Sequence, residues 1–293
     1  MHIVAWVLDF LTARSQYVKL NKTVSKVIKT YTGAPQGCVL SPVLYTIYTN
    51  DYLSTEVGIT VIKFADDSSI LGIIHSNEER YFNEVNAFVK WCTDNFLKVN
   101  VGKTKEMIFD FRRYVHNVPA LEINNEMVEV TQAYRYLGIT LDNKLSWNEH
   151  VNSVVKKANQ RLYFLRKLRS FEVDPSIMIT FYRATIESVI TFGISCYGGN
   201  ISKQQQQRLD RVIRKAAKIV NSSLPSFIEV YNTNVLNTAK KIMADNKHPL
   251  YSEYQTSVRS KRLISKKART NRYNNSFIPS SVRLMQSVSS LRD

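Results

Sequence analysis

With 293 residues, 44 % of them hydrophobic and 22 % charged, the chain is long enough to bury one or two cores and too apolar for bulk disorder. Its net charge of +16 is unevenly held: residues 1–150 carry 15 Lys and Arg against 16 Asp and Glu, and residues 151–293 carry 25 against 8, so the second half suits a polyanionic partner, most simply nucleic acid. No run of eighteen apolar residues predicts a membrane span. Cys38, Cys92 and Cys196 are lone and widely spaced, which excludes a Cys-pair zinc module and predicts buried structural thiols in a reduced, intracellular setting.

In chain order, Ile3 to Thr12 reads as a short amphipathic helix; it lacks a basic lead and carries Asp9, unlike a secretion signal. Residues 16–21 and 26–32 alternate like two strands, with Asn21, Lys22 and Thr23 near the turn between them. Next, Thr32-Gly33-Ala34-Pro35-Gln36-Gly37-Cys38-Val39-Leu40-Ser41-Pro42 is a loop ending in a helix-start signal. Ser41 can cap, Pro42 suits the first helical position, and a helix is predicted from Val43 to Tyr52. Val61, Ile62 and Phe64, then Ile70 and Leu71, read as strands around a turn that holds Asp66 and Asp67. Neighbouring side chains of a strand point to opposite faces, so only a tight turn lets adjacent carboxylates approach one site. Two anions held that close repel, and a hard divalent cation with oxygen ligands, typically Mg²⁺, relieves them. A solvated turn is the plainer reading of such a pair standing alone.

The pair has company. The Pro35-Gln36-Gly37 loop followed about thirty residues later by Phe64-Ala65-Asp66-Asp67 resembles the palm of a reverse transcriptase, in detail the non-LTR, LINE-like retrotransposon kind. The resemblance implies that Pro35, Gln36, Gly37, Phe64 and Ala65 shape the pocket for incoming nucleotide and template. It makes Asp66 the principal ligand of catalytic Mg²⁺ or Mn²⁺, with Asp67 as its partner, and puts Lys103 near the triphosphate, where a cation assists departing pyrophosphate. From the residues alone Lys103 is an exposed loop lysine, and Gly102-Lys103-Thr104 lacks the upstream glycine of a Walker A loop. Val7-Leu8-Asp9-Phe10 imitates the family's first catalytic motif but by order and spacing matches a later helix, so Asp9 receives no catalytic role. That motif is expected N-terminal to Met1. Two-metal nucleotidyl transfer needs carboxylates on both sides of the ions, so the chain in isolation is expected to be inactive, its palm sheet short of one strand.

Glu78 to Phe96 is helical by pattern, with Phe82, Val85, Phe88, Val89 and Cys92 on one face, and a turn and strand follow through Phe109. Tyr134 to Asp142 is a strand and turn; by resemblance Tyr136, Leu137 and Gly138 form the primer-grip hairpin. A long helix follows Trp147, with an apolar stripe through Val151, Val154, Val155, Ala158, Leu162, Leu165 and Leu168, and with Lys156, Lys157, Arg161, Arg166, Lys167 and Arg169 on its other faces. Asp174 and Pro175 start another helix that stops near Gly198 and Gly199. Gln204 to Val220 repeats the theme: Leu209, Val212, Ile213, Ala216 and Val220 inward, Arg208, Arg211, Arg214, Lys215 and Lys218 outward. The basic faces, Lys157, Arg161, Arg166, Arg169, Arg211, Arg214 and Lys215 in particular, are candidates to follow a nucleic-acid backbone as a thumb does; solvated faces are the competing reading. From Ser222 the pattern weakens, and Lys240 to Asn275 interleaves Tyr251, Tyr254 and Tyr273 with basic residues, suiting either nucleic-acid contact or partial disorder. Residues 275–285 resemble the C-terminal tail of such reading frames.

The sequence thus predicts an α+β chain: an incomplete reverse-transcriptase palm over 1–145, an α-helical basic thumb over 146–222 and a basic C-terminal region over 223–293. The resemblance implies an RNA template, a DNA primer, deoxynucleoside triphosphates, no membrane and a nuclear location. The alternative is a non-catalytic nucleic-acid-binding remnant. Residues 103–170 also look similar to a short N-terminal segment of AlkB-type tRNA-modifying proteins, but none of His2, His75, His116, His150 and His248 lies in a His-x-Asp iron motif.

Overall fold

The computed structural model describes residues 2–74, 78–112, 118–257, 263–265 and 268–289. Contacts divide them into two units, one running to residue 104 and including 118–129, the other holding 105–112 and everything from 130 on.

In the first unit α1 (His2–Leu11) has no buried residue. The two strands expected over 16–32 each break in two: β1 (Arg14–Gln16) pairs with β4 (Ile28–Thr30), and β2 (Lys19–Leu20) with β3 (Thr23–Val24), around Asn21 at φ +55°. The break has a cause in Ser25, whose hydroxyl oxygen accepts the Val18 N–H (2.9 Å) and whose own N–H donates to Val18 O (2.9 Å). Helix α2 (Leu40–Tyr48) starts earlier than expected. Val39 is its N-cap, and the Ser41 hydroxyl donates to Pro35 O (2.5 Å) rather than capping. Pro42 falls third in the helix, still within the first turn, where a missing N–H costs nothing. A hairpin follows, β5 (Ile59–Phe64) against β6 (Asp67–Gly72), in register from Ile59↔Gly72 to Phe64↔Asp67. Helix α3 (Glu79–Asp94) buries Val85 and Cys92, as its pattern predicts. Behind it, β7 (Glu122–Ile123) and β8 (Glu126–Met127) turn at Asn124 and Asn125, both with positive φ, which Asn tolerates in two-residue hairpins. Val85, Val101, Leu121, Ile123 and Val128 form a small core, with Ile70 and Phe82 packed on it, so the hairpin is backed by α3. All sheets among the described residues are two-stranded.

The second unit is helical on a larger core. Its hairpin, β9 (Ala133–Tyr136) and β10 (Ile139–Asp142), turns at Leu137 (φ +45°) and Gly138 (φ +87°); a Cβ on Gly138 would meet the Phe192 ring at 2.9 Å, so glycine is required both by φ and by space. Helix α4 (Asn148–Ser170) buries Val151, Val154, Ala158, Leu162 and Leu165, and α8 (Lys203–Val220) buries the five inward residues its sequence predicts. Between them the helix expected to run unbroken from Pro175 to Gly198 is four pieces: α5 (Pro175–Tyr182), a π-turn (Arg183–Glu187), α6 (Ser188–Thr191) and, past Gly193 at φ +66°, α7 (Ile194–Tyr197). The stretch Pro175–Tyr197 is long and apolar enough by composition to cross a membrane. Met178, Tyr182, Ile186, Ile190, Ile194 and Tyr197 instead turn into the protein core, and a core helix passes the same test. Helix α9 (Phe227–Ala244), which the weak pattern after Ser222 did not predict, buries Phe227, Tyr231 and Val235 in that core behind a Ser226–Glu229 capping box, so the boundary expected at 222/223 falls inside one packed unit. Short α10 (Asn271–Asn274) and α11 (Phe277–Ser289) complete it, α11 against α9. Residues 258–262, 266 and 267 of the basic run lie outside the described residues. Of the three thiols expected to be buried, only Cys92 is; Cys38 is half-buried and Cys196 exposed.

His150 of α4 is a buried histidine that the sequence did not single out. Its Nδ1 accepts the Thr140 N–H (3.3 Å), it stands edge-on to Tyr197 with centroids 4.7 Å apart, and its Nε2 is buried without a partner. Burial, and then the charge of Lys157, lower its pKa. The unfolded chain binds a proton here below about pH 6.5 that the native state refuses, so stability falls as pH drops from that value, by up to about 1.4 kcal/mol per pH unit. Urea titrations between pH 7 and 5 are expected to show this slope and His150→Gln to lack it.

Candidate active site

The acidic pair sits where the sequence places it, at the tip of β5–β6. Phe64 and Asp67 are the last cross-strand partners, leaving Ala65 and Asp66 as a two-residue loop. Ala65 has φ +52°, and positive φ at the first loop position alone is the II′ arrangement, which usually takes glycine. A side chain held there stores about 1–2 kcal/mol of strain, of the kind found where a turn is aimed for function. Both carboxylates and Phe64 are exposed.

Lys63, the residue before Phe64, fixes the hairpin to α2. Its ammonium donates to Thr49 O at the C-cap of α2 and to Tyr52 O (3.0 Å) in the loop beyond it, and stands 5.9 Å from the Trp91 ring. Tyr52 in turn donates to Oε1 of Glu84 (2.6 Å), whose other oxygen accepts the Thr55 N–H (2.9 Å), the Thr55 hydroxyl (3.1 Å) and the Glu56 N–H (3.0 Å). Glu84 is fully buried. Burial disfavours its charge, but the bonds from Tyr52, Thr55 and Glu56 outweigh that and hold its pKa below the ordinary value. This buried carboxylate, invisible in the helical pattern, locks α3, the 52–56 loop and α2 around Lys63.

Tyr45, on α2, has a raised hydroxyl pKa, through burial and then through the negative charge of Asp66. At the other end of α2 the Cys38 thiol accepts the Leu40 N–H (3.4 Å), and hydrogen bonds from Leu40 and Ser41 lower its pKa, so this helix start favours negative charge. Pro35 is half-buried, and Gln36 and Gly37 are exposed in the same loop. Lys103 is exposed in a 3₁₀ turn, its N–H capped by Asn100 Oδ1 (3.1 Å).

In the second unit the expected basic candidates divide. Arg161 donates to Thr185 O inside the π-turn, and Arg169 to Lys218 O (2.7 Å) and Ile219 O (3.1 Å), closing the end of α8; both are engaged within the fold. Arg166, Arg211, Arg214 and Lys215 are exposed and Lys157 is half-buried. Tyr136, Leu137 and Gly138 form the tip of β9–β10.

The chemistry of the Asp66–Asp67 turn fits a divalent cation in kind, since both donors are hard oxygens on a rigid hairpin. It does not complete a metal centre, because no group of three His, Cys, Asp or Glu able to hold a metal occurs among the described residues.

Residues 2–141 match the family described as reverse transcriptase (RNA-dependent DNA polymerase), and residues 147–188 match "Alkylated DNA repair protein alkB homolog 8, N-terminal". The second match covers α4, α5 and the π-turn, and begins well after the expected start at residue 103. Over 206 residues the chain is 26 % identical to the RNA-directed DNA polymerase from mobile element jockey of Drosophila melanogaster, covering 65 % of this chain and 22 % of that protein. It is 23 % identical over 232 residues to a probable RNA-directed DNA polymerase from transposon BS of the same fly, covering 75 % and 25 %. A Pol polyprotein from the type-1 retrotransposable element R1 2 of Nasonia vitripennis is 27 % identical over 146 residues, covering 46 % and 35 %. The chain therefore spans only about a quarter of the length of the transposon polymerases it matches. No solved structure matches it.

Proposed function

We propose, for a chain whose residues 2–141 belong to the reverse transcriptases of non-LTR retrotransposons, that it is the segment of an RNA-directed DNA polymerase that presents two carboxylates and the nucleotide loop to the reaction. The observation that carries the reading is the Asp66–Asp67 turn held on a hairpin whose Lys63 is tied to the helix leaving the Pro35-Gln36-Gly37 loop. Asp66 and Asp67 would hold Mg²⁺ or Mn²⁺, which in such enzymes activates the primer 3′-hydroxyl and neutralises the triphosphate. The start of α2, where negative charge is favoured, would receive the triphosphate end of the nucleotide, while Gln36 and Gly37 shape the pocket. Lys103 would stand by the departing pyrophosphate, and Arg166, Arg211, Arg214 and Lys215 would follow the template–primer backbone as a thumb. Palm and thumb name these roles, and a nuclear location suits copying into chromosomal DNA.

Two carboxylates do not complete a two-metal centre, so this chain alone is expected to incorporate nothing. Placed in the jockey polymerase instead of the region it matches, it is expected to support Mg²⁺-dependent extension of a DNA primer on an RNA template. A folded chimera that binds template but never extends would leave only the nucleic-acid-binding remnant.

A further inference from the structure

We infer that a groove in the second unit, formed by Asp110, Phe111, Arg112, Lys144, Thr270 and Arg272, binds single-stranded nucleic acid, with a base stacked on the Phe111–Arg272 pair and phosphate on Lys144. None of these residues belongs to the basic helix faces. The groove is open, about 520 Å³, within the range that holds a nucleotide-sized ligand. Three distant parts of the chain build it: the loop of Asp110 to Arg112, the turn after β10 and the start of α10.

Its geometry is organised around flat groups and cations. The Arg272 guanidinium lies 3.7 Å from the centre of the Phe111 ring and donates to Lys144 O (3.2 Å), while Asn200 holds Arg272 O (3.1 Å). Phe111 remains half exposed beside that cation, and Arg272 is exposed as well, so the ring and the guanidinium over it are both open to solvent. Lys144 is steadied twice: its N–H bonds Asp142 Oδ1 (3.1 Å), and its ammonium bonds Asp110 O (3.3 Å). The carboxylate of Asp110 would repel phosphate, but Arg112 grips both its oxygens (2.9 and 3.0 Å) and neutralises it, leaving the charges of Lys144 and Arg272 in excess. Two cations beside a half-exposed ring suit a strand whose bases are free to stack, whereas a duplex keeps its base faces covered. The strongly basic composition of residues 151–293 favours an extended polyanion over an isolated phosphate.

The inference rests on reading the chain as a nucleic-acid-handling protein, but not on the metal pair. Fluorescence anisotropy of a labelled single-stranded RNA, titrated with the full chain in EDTA, tests it, with the same sequence as a duplex in parallel. Phe111→Leu keeps an apolar side chain at a half-exposed position and is expected to weaken single-strand binding about tenfold while leaving duplex binding unchanged. Arg272→Lys keeps the charge, loses the plane and is expected to behave likewise. Lys144→Gln is expected to lower the slope of log affinity against log salt by about 0.7. Wild-type single-strand affinity in both Phe111→Leu and Arg272→Lys, with unchanged melting curves, would overturn the assignment, as would equal losses on the duplex. Because EDTA removes every divalent cation, this result stands apart from primer extension by the jockey chimera: extension by the chimera with normal groove variants refutes the groove alone, and groove losses with a chimera that never extends refute the polymerase reading alone.

Discussion

Replacing Asp66 by Asn in the jockey chimera is expected to lower Mg²⁺-dependent incorporation by about a thousandfold or more. The change is nearly isosteric and falls on an exposed loop position of β5–β6, so the hairpin has no structural reason to respond. What it removes is one unit of negative charge from the candidate metal pair. Charge stabilisation by a catalytic cation is worth several kcal/mol, and each 1.4 kcal/mol is tenfold in rate. Asp67→Asn is expected to cost less if Asp66 is the principal ligand. The check is single-turnover primer extension with template binding measured alongside. Loss of incorporation with binding intact supports the assignment, and an Asp66→Asn enzyme within tenfold of wild type refutes it.

Glu84→Ala is expected to destabilise the first unit by about 3 kcal/mol. The substitution leaves the Tyr52 hydroxyl and the Thr55 and Glu56 N–H groups without their acceptor, and hydrogen bonds to a charged group are worth about 1.5–3 kcal/mol net. It also unfastens Tyr52, whose carbonyl holds Lys63, so the acidic turn loses part of its anchor. The core behind it is small and cannot absorb the loss. Trp91, with its ring 5.2 Å from that of Tyr52, reports the change by fluorescence in urea. The pH dependence follows from the lowered pKa: the contribution of Glu84 is present above the unfolded value near 4.3 and is lost as pH falls through the lower folded value. Tyr52→Phe is expected to cost about 1 kcal/mol, because the carboxylate keeps its other donors. A Glu84→Ala protein within about 0.5 kcal/mol of wild type would show that the carboxylate is not a fastening.

How far the fold could be read in advance follows from where each signal sits in the chain. The β5–β6 hairpin was legible because alternation and turn chemistry lie within fourteen consecutive residues, and α4 and α8 because a single apolar stripe repeats at helical spacing. Helix α9 was missed although Ser226 and Glu229 spell a capping box. Asn232, Thr233, Asn234, Asn237 and Thr238 dilute a stripe that Phe227, Tyr231, Val235 and Ala239 nonetheless keep at four-residue steps. Glu84 was illegible for a different reason: beside Phe82 and Val85 it reads as a solvated helix face, and its partners lie some thirty residues upstream in a loop with no pattern of its own. The same limit applies to Arg161 and Arg169, which look like outward cations until the π-turn and the end of α8 supply carbonyls for them. The acidic turn, the Pro35-Gln36-Gly37 loop and the resemblance they carry were legible; the tie between them, Lys63 through α2, emerged only from the fold.

The account depends on the acidic turn and the glutamine loop opening onto one cation-and-triphosphate pocket. A nitroxide on Gln36→Cys, in a chain also carrying Cys38→Ser and Cys196→Ser, measures that directly when Mn²⁺ is titrated in. The account predicts that Mn²⁺ quenches the nitroxide signal and that an Asp66→Asn, Asp67→Asn double variant abolishes the quenching. A signal that Mn²⁺ leaves untouched, or quenches equally in both proteins, would contradict it.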